Sequence, residues 1–97
     1  MFQNLFRRAP DLSDIELLFI SRDDCHLCDK ALAVVEEVRR RRPFRLRVVK
    51  MVEGDEWHER YWDKIPVGLV NGAMIFKYRV TAEELLAKLR VRAVTDC

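Results

Sequence analysis

A short apolar run, Ile15-Glu16-Leu17-Leu18-Phe19-Ile20, gives way across Ser21-Arg22-Asp23-Asp24 to a helical stripe that opens with Cys25-His26-Leu27-Cys28. This change of period constrains the fold more than any other feature of the chain. The run reads as a strand buried on both faces, because it lacks the alternation of a half-exposed one. Leu27, Ala31, Val34, Val35 and Val38 then recur at helical spacing on one face, while Asp29, Lys30, Glu36, Glu37, Arg39 and Arg40 cover the other. Asp24 is the expected N-cap. Arg39 to Arg42 suit the negative end of the helix dipole, and Pro43 stops the helix.

The remaining elements follow from local chemistry. Phe44-Arg45-Leu46-Arg47-Val48-Val49 alternates through its first five residues and reads as a strand exposed on one face. Glu53-Gly54-Asp55 is a turn, and Asp55 to Trp62 a short helix with Trp57 and Tyr61 one turn apart. Pro66 opens a strand, Val67 to Val70, which Asn71-Gly72 joins to Ala73-Met74-Ile75-Phe76-Lys77-Tyr78. Asn-Gly between two apolar runs is a hairpin signal, because both residues tolerate positive φ. Thr81-Ala82-Glu83-Glu84 is a capping box before a last helix with Leu85, Leu86 and Leu89 on its core face. The order is β-α-β-α-β-β-α. A right-handed crossover makes the first two strands parallel, and the hairpin makes the last two antiparallel. The expected fold class is therefore α/β, with helices against a mixed four-stranded sheet.

Ninety-seven residues, 49% of them hydrophobic, suit one packed domain. Within 1–97, residues 1–12 are expected to form a short N-terminal extension and 93–97 a C-terminal tail. With 18 Lys+Arg against 16 Asp+Glu the net charge is only +2, which gives no case for nucleic acid as a partner. No apolar run nears the ~20 residues of a membrane span. Three cysteines, an odd number, do not suit a secreted disulfide framework. Phe2, Leu5 and Phe6 beside Arg7 and Arg8 faintly resemble a transit peptide, but Asp11 and Asp14 follow too soon. The cytoplasm is the expected location.

Cysteines at i and i+3 on a first helical turn project to one side, near enough for their sulfurs to bond. The unpaired N–H groups and positive dipole of the helix N-terminus stabilise a thiolate on Cys25. Cys28, on the side of Ala31, Leu32 and Val35, is expected to be buried and protonated, poised to resolve a mixed disulfide on Cys25. Such a pair at the strand-to-helix junction of a β-α-β unit is the thioredoxin-like redox motif. Zinc is the structural alternative, but it needs four ligands, and His26, His58 and Cys97 offer no second ligand pair. Two cysteines merely packed in a core are disfavoured, since a first turn after a polar loop is usually exposed.

From Ile15 to Arg90 the chain resembles the glutaredoxin-like branch of the thioredoxin superfamily, closest to its small, poorly characterised members. The resemblance is carried by Leu18-Phe19-Ile20 before Cys25-His26-Leu27-Cys28-Asp29-Lys30-Ala31, by Trp57 and Tyr61 ahead of Ile65-Pro66-Val67, by the Asn71-Gly72 hairpin and by the Leu85 to Leu89 helix. It implies a thioredoxin-like fold with helices on both faces and a sheet order of 2-1-3-4. It also implies a cis Pro66 facing the cysteines, with the Ile65 backbone pairing with substrate. The bland alternative for Pro66 is a proline that simply starts a strand.

The departures set further expectations. Glutaredoxins carry Pro-Tyr or a similar pair between the cysteines, where this chain has His26-Leu27, and a Gly-Gly pair and an Asp before the last helix to hold glutathione. Between Phe76 and Leu85 this chain has no glycine. Thioredoxins carry Trp-Cys-Gly-Pro-Cys, and an acid where Phe19 stands. No tightly bound cofactor is expected. Glutathione is expected only as a weak co-substrate, its carboxylates drawn to Arg22 and Lys77. The expected function is that of a thiol-disulfide oxidoreductase, with Cys25 as nucleophile, Cys28 as resolving thiol, and Ile65, Pro66 and Arg22 contacting substrate. Its expected partners are a disulfide-bearing protein or small molecule and a thiol reductant, with no nucleic acid or membrane, and a monomeric state. A non-catalytic adaptor domain that keeps the cysteines is the alternative.

Among lesser signals, His26 is balanced between a donor to the Cys25 thiolate and a surface histidine. Arg39 to Arg42, with Arg45 and Arg47, read as a solvated helix end rather than an anion-docking patch. Trp57, Tyr61 and Trp62 read as packing aromatics. Cys97 reads as an incidental exposed thiol.

Overall fold

The computed structural model describes residues 11–95; the expectations for Met1 to Arg8 and for Cys97 lie outside them. The chain runs β1 (Glu16–Ser21), α1 (His26–Arg41), β2 (Arg45–Lys50), α2 (Glu56–Tyr61), β3 (Val67–Val70), β4 (Ala73–Lys77) and α3 (Ala82–Thr95). The four strands form one sheet in the order β2-β1-β3-β4. β1 is parallel to β2 and antiparallel to β3, and β3 is antiparallel to β4. This is the mixed sheet and strand order expected.

β1 is central, and its alternate residues feed two cores. Leu17 and Phe19 pack with Ala31, Val35 and Val38 of α1 and Leu85 and Leu89 of α3. Ile20, with Leu18 beside it, joins the opposite cluster, which holds Met51, Ile65, Val67 and Leu69, with Trp57 and Tyr61 of α2 packed against it. A strand covered on both faces needs apolar residues at consecutive positions, which is why β1 shows no alternation. β2 is an edge strand whose Arg45 and Arg47 are exposed, a composition that discourages further strand pairing.

The hairpin closes as its sequence dictates. Asn71 and Gly72 both have positive φ, 51° and 82°, so the two-residue turn matches the twist of its strands. Gly68 lies opposite Phe76 beside a register shift. A Cβ on Gly68 would run into the Phe76 ring, so the glycine makes room for that ring to reach Phe19, its centroid 6.1 Å away. At α3 the capping box is complete. Glu84 N–H donates to Thr81 Oγ1 at 3.1 Å, and Thr81 N–H to Glu84 Oε1 at 3.0 Å.

Several boundaries differ from expectation. The N-cap of α1 is Cys25 rather than Asp24, because Asp24 takes a left-handed φ of 58° and turns the chain before the helix begins. Leu12, assigned to the extension, is buried in the α1/α3 core. α3 continues through Thr95, so residues 93–95 are helix rather than tail, and Ala93 still packs on the core.

The arginine run is engaged locally. Arg39 Nε donates to Phe44 O at 2.9 Å, Arg41 pairs with Glu37 at 2.9 Å, and Arg45 donates to Asp14 O at 2.9 Å.

Candidate functional site

The site is built where β1 ends. Ser21 is buried, its hydroxyl near Val49 O at 3.4 Å, while the next three residues are exposed. Asp23 is held to the end of β2 by Lys50 Nζ at 2.9 Å, and this carboxylate raises the Lys50 ammonium above its usual range. The left-handed turn at Asp24 then returns the chain to the sheet as Cys25, in extended conformation, starts α1.

Cys25 and Cys28 are joined by a disulfide, with their Cα atoms 5.1 Å apart. Cys28 N–H also points at Cys25 Sγ, 3.1 Å away. The sulfur thus does for α1 what a serine or aspartate oxygen does at other helices. A negative charge at this sulfur is favoured by that N–H and by the helix dipole.

Cys28 is buried as expected, at 3% exposure, but Cys25, at 8%, is more enclosed than a first turn after a polar loop leads one to expect. They belong to the cluster of Ile20, Met51 and Ile65. His26 and Leu27 between them face out, Leu27 at 40% exposure. The turn itself is exposed as expected, but the cysteines point back onto the α2-side core.

The Ile65–Pro66 bond is cis. The β1/β3 register sets Ile20 opposite Val67, which brings Pro66 alongside the end of β1, where the cysteine loop begins. Ile65 and Pro66 are buried, and Ile65 shares the cysteines' cluster. The fold therefore brings together Cys25, Cys28, Ile65 and Pro66. Arg22 is exposed in the loop and outside that cluster. Among the described residues, no group of three or more His, Cys, Asp or Glu is placed to hold a metal ion.

Tyr78 is the residue that sequence reasoning missed. The strand was expected to run through it, but β4 ends at Lys77. Arg79 N–H then donates to Lys77 O at 2.7 Å across Tyr78, whose φ is 68°. An i to i+2 bond about a positive φ is the rarer, strained γ-turn, and a bulky residue held there costs ~1–3 kcal/mol. Tyr78 N–H donates to Pro66 O at 2.8 Å, so the strained turn is fastened to the cis-proline segment. The signal available in sequence was only negative: no glycine stands where such backbone needs one.

Among the described residues, cavities lie on either side of the sheet. A groove of about 540 Å³ lies between α1 and the γ-turn, walled by Leu27 and Tyr78. A pocket of about 340 Å³ lies on the α2 face, lined by Leu18, Trp57, Tyr61 and Leu69. Trp57 and Tyr61 therefore both pack on the core and line a cavity.

A four-stranded 2-1-3-4 sheet, helices on both faces, a cis-proline before the third strand and a cysteine pair opening the first helix define a thioredoxin-like fold. The sequence pattern of the Glutaredoxin-like domain (DUF836) matches residues 16–90, and the chain belongs to that family. Solved structures share the fold, among them the following three. Protein Ne2328 from Nitrosomonas europaea, determined in solution by NMR, has a TM-score of 0.66 at 20% identity, over 78% of this chain and 92% of that one. A malarial protein has a TM-score of 0.63 at 13% identity, over 81% and 97%. Thioredoxin-2, a component of the malaria parasite protein secretion machinery, has a TM-score of 0.62 at 14% identity, over 80% and 82%. At these identities the likeness is one of fold alone.

Proposed function

We propose that the protein is a thiol-disulfide oxidoreductase acting through Cys25 and Cys28. The observation that carries this reading is the bonded pair at the start of α1, with Cys28 N–H directed at Cys25 Sγ. In the reduced protein the Cys25 thiolate attacks one sulfur of a substrate disulfide. A mixed disulfide forms, and the other substrate sulfur leaves as a thiolate. Cys28, losing its proton to solvent, then attacks Cys25 Sγ and releases the second substrate thiolate. The substrate gains two electrons, the protein disulfide forms, and an external thiol reductant restores the dithiol. Ile65 and Pro66 are proposed to orient the substrate chain, with Arg22 contributing charge at the rim.

The reading implies a monomer working in a reducing compartment such as the cytoplasm, without nucleic acid or membrane partners and without a resident cofactor. Among the described residues no helix is long and apolar enough to cross a membrane.

Turnover of a small-molecule disulfide, with a dithiol as reductant, tests the reading. Activity lost in Cys25→Ser, and a trapped mixed disulfide in Cys28→Ser, are the expected results. The enclosure of both sulfurs favours a second reading, a non-catalytic adaptor whose disulfide is structural. No turnover by the intact protein, together with loss of stability on reduction, would establish the adaptor instead.

A further inference from the structure

We propose that the groove between α1 and the γ-turn selects the substrate: an extended peptide bearing an apolar side chain and a carboxylate close to its cysteine. The proposal rests on the oxidoreductase reading for the chemistry at Cys25, and adds which disulfides reach it.

The groove reaches the turn that carries the disulfide, since Leu27 in its lining stands between the two cysteines in sequence. Tyr78, 44% exposed, lines it as well. Val34 and the buried Val80 complete an apolar lining. Exposed apolar side chains lining about 540 Å³ can accept a branched or aromatic side chain.

Charge indicates what accompanies that side chain. Lys30 and Arg79 are exposed on the groove, and neither has an ion-pair partner among the described residues. The acid in the lining, Glu84, is engaged with Thr81 N–H. Lys77 lies over the Tyr78 ring, 5.3 Å from its centroid, and adds a further cation beside that wall. A peptide with a carboxylate next to its apolar residue matches this lining, and a basic peptide does not.

The strain at Tyr78 fits such a role. Glycine would suit its backbone better, and the tyrosine stands there against that preference, fastened to Pro66 O and exposed to solvent. The bond to Pro66 O fixes the Tyr78 backbone relative to the cis-proline segment that is proposed to orient the substrate backbone.

Two peptides test this, each with one cysteine activated as a mixed disulfide with thionitrobenzoate. One carries Glu-Leu beside the cysteine and the other Lys-Ser. All proteins are full-length and carry Cys97→Ser, so that release reports the paired cysteines. Attack by Cys25 forms the protein–peptide disulfide and expels coloured thionitrobenzoate, and Cys28 then frees the peptide thiol. The reduced protein is expected to prefer the Glu-Leu peptide by about tenfold, the usual discrimination of an apolar pocket. Tyr78→Gly, compatible with the backbone, and Leu27→Ala, on an exposed position, should each lower the ratio severalfold by removing the apolar part of the preference. Arg79→Glu should remove the charge-dependent part. Equal rates on both peptides, or a preference unchanged in Tyr78→Gly and Leu27→Ala, overturn the proposal while the redox reading stands.

Absence of thionitrobenzoate release from every peptide would instead sink the redox reading. The groove is then decided by binding alone, with the Cys25→Ser/Cys28→Ser protein and the Glu-Leu peptide in which serine replaces cysteine. Saturable amide shifts at Leu27 and Val80 support it. Shifts confined to Trp57 and Tyr61, or none at millimolar peptide, overturn it.

Discussion

Cys25 has three roles in one side chain: helix cap, disulfide partner and proposed nucleophile. The cap explains why the first cysteine, rather than the second, is suited to carry charge, since Cys28 N–H points at Cys25 Sγ at 3.1 Å. In the reduced protein near neutral pH, alkylation should label Cys25 well before Cys28, read by mass spectrometry of the digested protein. Faster labelling of Cys28 would reverse the assignment. Tyr78 shows the opposite relation between residue and backbone. At Asn71 and Gly72 positive φ falls on residues that accept it, whereas at Tyr78 it is held by the residue's own N–H bonds to Lys64 O and Pro66 O and by the Arg79 N–H bond to Lys77 O across it.

Among the elements, the β3–β4 hairpin depends on one missing side chain. Gly68→Ala would drive a methyl group into the Phe76 ring, which packs against Phe19 in the core. Overpacking of this kind costs ~1–3 kcal/mol, so the urea midpoint should fall with little change in slope. α2 carries a pH dependence of its own. The Asp55 carboxylate accepts N–H bonds from Val52 at 3.0 Å and His58 at 2.7 Å, and these hold it below its ordinary value of 3.8. A carboxyl depressed in the folded state stabilises above its unfolded pKa, and that contribution is lost as pH falls through the folded one. Acidification below about pH 4 should therefore loosen α2. Fluorescence of Trp57 and Trp62 would report it, and Asp55→Asn should flatten that acid limb. An identical limb in the variant would assign the transition elsewhere.

At the scale of the molecule, the proposed active face combines a disulfide, a cis-proline segment and a groove with bulky walls. Glutathione recognition by backbone donors needs close approach, which small residues permit. Here Lys77 to Thr81 present side chains, with Tyr78 on the groove and Glu83 and Glu84 in the first turn of α3. Losing two or three oriented donors should weaken glutathione binding tenfold or more. Titration of the Cys28→Ser protein with reduced glutathione, followed by amide shifts, should show no saturable site at low-millimolar concentration. Saturation around Ile65, Arg79 and Thr81 would contradict this.

The local rules in the sequence determined the element order, the hairpin, the capping box, the double burial of β1 and the placing of the cysteine pair where β1 gives way to α1. Each depends on interactions within a few residues, or on one buried face, and so is written in spacing. The strand order and the cis bond were anticipated only through resemblance to a family, since no short-range rule sets either. The tertiary structure alone decided that Asp24 turns the chain and leaves Cys25 to cap the helix. It also decided that the cysteines pack onto the α2-side cluster, and that Tyr78 takes a conformation its own chemistry disfavours. These outcomes are set by contacts between residues far apart in the chain. The cysteines pack with Met51 and Ile65, and Tyr78 is tied to Lys64 and Pro66. Local preference yields there because buried area and backbone hydrogen bonds supplied from a distance outweigh the ~1–3 kcal/mol that a strained residue costs.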